Sequence, residues 1–187
     1  MDRRKVLIQM GVSLGYVVAT PTLISLLQSC KNESDVVWSP EFLNQGQGFL
    51  LILLVDAILP KTDTPSASEV NAHIFLDSFA KEVMDKKEQD QFRSTLDQLL
   101  ADALKETKKE KSSHLTTEDL APIMQKALKQ NIGDELAYAK KIRDLTVYAY
   151  KCNEYIGEEV LAYLPVPGEY IPCSDLEKLT GGKAWSL

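Results

Sequence analysis

Between Phe49 and Leu59 the chain places ten apolar residues in eleven, interrupted by Asp56 and stopped by Pro60. A run this short does not cross a bilayer, so protein must cover it. Proline disfavours helical geometry at the residue before it, which ends a helix at Leu59. The run reads as the central helix of a core, and the rest of the chain has to wrap it.

Upstream, Ser39-Pro40-Glu41 has the form of a helix start: a capping serine, a proline at the first position and an acid next. This predicts a helix from there to Ile58. Gly46 and Gly48 weaken its first half by up to about 1 kcal/mol each against alanine, which suits a close crossing by another helix.

Downstream, Val70 to about Asp85 is expected to be helical with Ile74, Phe75, Phe79 and Val83 facing inward. Glu88 to Thr107 carries Phe92, Leu96, Leu99, Leu100, Ala103 and Leu104 as one stripe. Lys105 to Lys111 is a charged exit. Thr116-Thr117-Glu118-Asp119 opens a helix to about Lys129. Gly133 to Ala149 follows, with Tyr138, Ile142, Leu145 and Ala149 on one face. A short helix near Glu158–Tyr163 ends at Pro165. No stretch alternates long enough for a strand. The expected fold is all-α: a bundle of five or six helices with an irregular Pro/Gly-rich C-terminal tail.

The net charge of the 187 residues is −6, and because residues 1–29 carry +2, the remainder carries −8. Nucleic acid binding needs basic surface to neutralise phosphates, so no nucleic acid partner is expected. A polybasic membrane surface is equally disfavoured.

The basic residues that do stand together are an address. Arg3-Arg4-Lys5 precedes the mostly apolar run Val6 to Leu27, the pattern of an export signal. The paired arginines Arg3 and Arg4 fit the twin-arginine type, which carries folded cargo, although Val6 stands where an aromatic residue is common. A retained membrane anchor is the alternative. Leu27-Gln28-Ser29-Cys30 resembles a bacterial lipobox, with Gln28 a less usual occupant. Lipidation of Cys30 would fix the chain to the membrane, since several acyl chains together give stable anchoring. The expected organisation is a signal peptide over 1–29, a tether over 30–38 and a helical domain over 39–187. This places the chain on the periplasmic side of a bacterial membrane.

Cys152 and Cys173 then remain. In an oxidising compartment they are a possible disulfide worth on the order of 3 kcal/mol, and two unpaired thiols, one of them buried, are the equal alternative.

The turn after the central helix is Leu59-Pro60-Lys61-Thr62-Asp63-Thr64-Pro65-Ser66-Ala67-Ser68-Glu69, leading into Val70-Asn71-Ala72-His73-Ile74-Phe75-Leu76-Asp77. Thr62, Asp63 and Thr64 can bond backbone groups, Pro65 stiffens the turn, and Ser66 or Ser68 can cap the next helix with Glu69 in its first turn. On physics alone this is a well-made interhelical turn. The stretch also resembles the signature of the gluconate 2-dehydrogenase subunit 3 family: Ile58-Leu59-Pro60, then Thr62-Asp63-Thr64-Pro65, with Ser66-Ala67 in place of the family's Gly-Ala. The ending is similar too, in Pro165-Val166-Pro167-Gly168, the acid before Ile156-Gly157, and Gly182-Lys183-Ala184-Trp185-Ser186. The resemblance runs from about Glu41 to the end and is weakest across the charged middle.

The resemblance implies a non-catalytic small subunit of a membrane-associated sugar or sugar-acid dehydrogenase. Its partner would be a FAD-containing large subunit of the glucose–methanol–choline type, passing electrons to a cytochrome c or a quinone. The chain itself would bind no cofactor and would assist export, stability and anchoring. Two other readings stay open: a free-standing periplasmic lipoprotein binding another partner or ligand, and an enzyme using Asp63 and His73. His73 and His114 have no third ligand at metal spacing. Phosphate-binding and nucleophile-elbow motifs are absent, so no catalytic, cofactor-binding or metal residue is expected. The candidate partner-interface residues are Thr62, Asp63, Thr64, Pro65, His73, Tyr170 and Trp185, the last two because a proline-rich tail and a near-terminal aromatic suit docking.

Overall fold

The computed structural model describes residues 38–129, 138–166, 168 and 173–186. Over these residues the chain is helical and has no strand, in agreement with the expected all-α bundle. The long helices are α1 (Gln45–Ile58), α2 (Ala72–Glu82), α3 (Lys86–Thr107), α4 (Thr117–Ala127) and α5 (Ala139–Lys151). A 3-10 turn spans Ser112–His114, a π-helical turn Tyr155–Val160, and a one-turn helix, α6, Leu176–Thr180.

The apolar run is the central helix. α1 touches each of the other four long helices, and Leu50, Leu51, Leu54 and Val55 are all at most 1% exposed. Its start differs from expectation. The cap is Asn44, whose side chain accepts from the Gln47 N–H while the Gln47 side chain accepts from the Asn44 N–H, a reciprocal capping box. Residues 39–43 form a non-helical lead-in held by a distant side chain. The N–H groups of Glu41, Phe42 and Leu43 all donate to the carboxylate of Asp77, at 2.7, 3.3 and 2.9 Å.

Asp77 also corrects the reading of α2. The helix is shorter than expected and buries His73, Leu76, Asp77 and Ala80. Ile74, Phe75 and Phe79 are half-buried, and Val83 is exposed at its end. The apolar residues alone pointed to a stripe one position away, because the true inner face contains a carboxylate and an imidazole.

α3 starts from Asp85, which accepts from the Glu88 N–H at 2.8 Å. It buries Phe92, Leu96, Leu99 and Ala103, with Leu100 and Leu104 half-buried. Lys108 ends it in the left-handed conformation. Thr116 and Asp119 form the capping box of α4. The beginning expected for α5 lies outside the described residues, but its inner face at Ile142 and Ala149 is buried as the spacing requires. Gln47 ties α1 to α3 through its amide, which donates to Asp97 at 2.8 Å.

The tail is more regular than expected. After the π-helical turn, Ala162 pairs in parallel with the chain around Trp185. Its N–H donates to the Ala184 carbonyl at 2.8 Å, and the Ser186 N–H donates to the Ala162 carbonyl at 3.0 Å. Gly181 and Gly182 turn the chain from α6 into this pairing with φ of +64° and +79°, a region open to glycine at little cost. A Cβ on Gly182 would also stand 2.7 Å from the Glu177 carboxylate.

Candidate partner interface

The signature turn is tied down at both ends. The Ala67 N–H donates back to the Leu59 carbonyl at 3.0 Å, and the Ala72 N–H to the Ala67 carbonyl at 3.0 Å. Asp56, the lone acid of the apolar run, accepts from the Ser68 N–H at 2.8 Å and the Ser68 hydroxyl at 2.7 Å. The Ser66 N–H donates to Glu69, whose other oxygen holds Lys61 at 2.6 Å. The Lys61 ammonium first, and the Ser66 N–H second, keep the Glu69 carboxyl below its ordinary range. Tyr150, from α5, donates its hydroxyl to the Pro65 carbonyl at 2.8 Å and lies 3.1 Å from the Thr64 hydroxyl. Turn residues thus serve the fold directly: they close the α1–α2 connection and dock it on α5.

Of the candidate interface residues here, Thr62 and Asp63 are exposed, Thr64 and Pro65 are half-buried, and His73 is buried. The His73 ring stands edge-on to Trp38, with ring centroids 4.9 Å apart. Its Nδ1 has no hydrogen-bond partner. Burial pushes its pKa below the ordinary imidazole range, and the negative charge of Asp56 opposes that shift. Asp63 and His73 therefore differ sharply in exposure, and the His73 environment is that of a packed ring.

Gly48 explains how Trp38 reaches this position. A Cβ there would lie 2.4 Å from Pro40 Cγ and 3.4 Å from the Trp38 ring. The close neighbour of this glycine is the lead-in to α1 and not a second helix. Trp38, the last residue of the expected tether, is half-buried against the bundle. Arg93 completes the clasp: it donates to the Phe42 carbonyl at 2.8 Å, with its guanidinium carbon 3.9 Å from the Phe42 ring centroid.

The second candidate region is the C-terminal module. Beyond Tyr155, only Ile156 and Thr180 are buried among the described residues. Tyr155, Tyr163, Leu164, Val166, Leu176, Leu179 and Trp185 are exposed large apolar side chains, whereas among the described residues of the bundle only Val83, Val147 and Tyr148 are such. Lys183 donates to the Glu159 carbonyl at 2.6 Å, holding the terminal segment to the π-helical turn. A surface cavity of about 150 Å³ lies where Lys151, Cys152, Tyr163 and Ser186 meet.

Trp185 is 45% exposed, and Tyr170 lies outside the described residues. Arg3, Arg4 and Cys30 lie outside them as well. Cys152 and Cys173 are both exposed free thiols. Among the described residues no cluster of His, Cys, Asp and Glu can hold a metal ion. No helix there is long and apolar enough to cross a membrane.

The sequence reading missed Asp56, Asp77, Trp38 and Tyr150. A single acid inside an apolar run was the available signal for Asp56, because a buried carboxylate must find donors. Nothing local marks the other three, whose partners lie at least 35 residues away in Trp38 and in Tyr150, and 34 in Asp77.

No curated protein and no solved structure matches the chain. The family model described as gluconate 2-dehydrogenase subunit 3 matches residues 45–168, about two thirds of the sequence. That span holds the signature turn, all five long helices and the first part of the C-terminal module. The chain belongs to the gluconate 2-dehydrogenase subunit 3 family.

Proposed function

We infer that the chain is the non-catalytic small subunit of a periplasmic, membrane-anchored dehydrogenase of sugars or sugar acids. The observation that carries this reading is the family match over residues 45–168, in a family of dehydrogenase subunits. The use of the signature residues supports it. Thr64, Pro65, Ser66, Ser68 and Glu69 spend their bonds on the connection between α1 and α2, as a scaffold requires.

In this reading the catalytic partner is a FAD-dependent large subunit of the glucose–methanol–choline type, which holds the flavin and selects the substrate. Electrons leave that subunit for a cytochrome c or a quinone. The small subunit supplies the twin-arginine signal at Arg3 and Arg4 and takes the folded flavoprotein across the membrane with it. After cleavage, lipid on Cys30 retains the complex at the membrane.

The test is fractionation of the host with flavin-dependent dye reduction as the readout. In the variant Arg3→Lys, Arg4→Lys, both the chain and the activity should stay in the cytoplasm. In Cys30→Ala, both should reach the periplasm but wash from the membrane. Export of the activity in the first variant, at the level of the unaltered chain, would refute the escort role.

A further inference from the structure

The exposed apolar side chains of the C-terminal module are concentrated where the chain has little core of its own. Leu164 precedes Pro165, so its backbone is held extended. It stands two residues after Ala162, the residue paired with Trp185, and both Leu164 and Trp185 are exposed. Leu176 and Leu179 stand exposed on α6, which feeds that pairing through the two glycines. The described charged residues of this part of the chain are mostly acidic: Glu154, Glu158, Glu159, Asp175 and Glu177, all exposed, against Lys151, Lys178 and Lys183, and the Lys183 ammonium is already bonded to a carbonyl.

We propose that this face, centred on Leu164 and Trp185, is the docking surface for the dehydrogenase's large subunit. The proposal rests on the small-subunit reading. The complementary surface is an apolar socket ringed by lysine and arginine. The acidic rim selects among possible occupants. A second copy would set one acidic rim against another, and a bilayer surface rich in anionic lipid would repel it. A basic-rimmed protein surface satisfies both the apolar centre and the charge. Three of the four central apolar residues, Leu176, Leu179 and Trp185, lie beyond the span matched by the family model.

The experiment captures the tagged full-length chain from its host and reads flavin absorbance per captured chain. The variant Leu164→Asp, Trp185→Ala should lower that ratio at least tenfold. Glu158→Lys, Glu159→Lys should lower it several-fold, and raising the salt should weaken capture of the unaltered complex. Val83→Asp, on the exposed end of α2, should leave the ratio unchanged. Both side chains of the double variant are exposed, so its circular dichroism should match the parent, and Trp185→Ala alone serves if it does not.

Undiminished flavin on the double variant, with flavin present on the parent, would overturn the surface and leave the subunit reading standing. No flavoprotein on the parent would overturn the subunit reading and the proposal with it. Self-association of the parent in sedimentation, abolished by Leu164→Asp, would reassign the face to a second copy. Binding to phosphatidylglycerol vesicles abolished by the same change would reassign it to lipid.

Discussion

The carboxylate of Asp77 accepts a hydrogen bond from the backbone N–H of Leu43 at 2.9 Å, across 34 residues of chain. With the N–H groups of Glu41 and Phe42 on the same side chain, one buried acid terminates the lead-in and positions the cap of the central helix. Removing it leaves three donors without their acceptor. Asp77→Ala should destabilise the protein by about 3 kcal/mol, since an unsatisfied buried group loses its bond and keeps its desolvation cost. Asp77→Asn, which keeps one acceptor oxygen, should lose less. Urea unfolding of the purified chain measures both, and the emission of Trp38 should shift to the red as the lead-in loosens.

Gly48 makes a prediction whose sign runs against propensity. Alanine in place of glycine inside a helix ordinarily stabilises by up to about 1 kcal/mol. Here the added methyl would meet Pro40 Cγ at 2.4 Å. Gly48→Ala should therefore destabilise by about 1–3 kcal/mol, the usual cost of overpacking. Gly46→Ala, where the nearest side-chain atom is 3.4 Å away, should be tolerated. Thermal unfolding of the two variants side by side decides it.

His73 predicts a pH dependence. Its folded pKa lies below the ordinary value of 6.5, chiefly through burial. Between those two values the unfolded chain binds the proton more readily than the folded one, so stability rises with pH there. Its contribution is complete above 6.5, is lost as the pH falls toward the folded pKa, and levels off beneath that value. His73→Phe should flatten this part of the stability curve. A slope between pH 7 and 5 that is unchanged in the variant would contradict the assignment.

Tyr150 joins α5 to the signature turn. Tyr150→Phe removes the donor to the Pro65 carbonyl and should cost about 1 kcal/mol, the net worth of one hydrogen bond. Amide exchange should quicken in residues 62–69 and not along α3. Equal protection of the turn in the variant would mean that Tyr150 contributes nothing to its order.

The long helices were legible from spacing because their inner faces are apolar. Phe92, Leu96, Leu99 and Ala103 on α3 form a repeat that only a helix satisfies, and Pro60 marked the end of α1. α2 was displaced by one position because its buried face includes His73 and Asp77, polar residues that a count of apolar positions assigns to solvent. The start of α1 was misplaced for the same reason. Ser39-Pro40-Glu41 has the local chemistry of a cap, but the backbone there is claimed by Asp77, and a claim across 34 residues leaves no local trace. Thr62 to Pro65 stood out as a motif, whereas its anchor Tyr150 did not, because one tyrosine among seven carries no mark of where its hydroxyl goes. The C-terminal pairing of Ala162 with Trp185 was likewise hidden, since a single bridge has no alternating run to announce it.

In the proposed function this chain works as one part of a flavin dehydrogenase. The most direct measurement is gentle capture of the tagged chain from its own host, followed by molar mass and absorbance on the eluted species. The expected result is a yellow complex containing a much larger flavin-bearing polypeptide in fixed proportion to this chain. A colourless chain eluting alone, at the mass of a single copy, would contradict it.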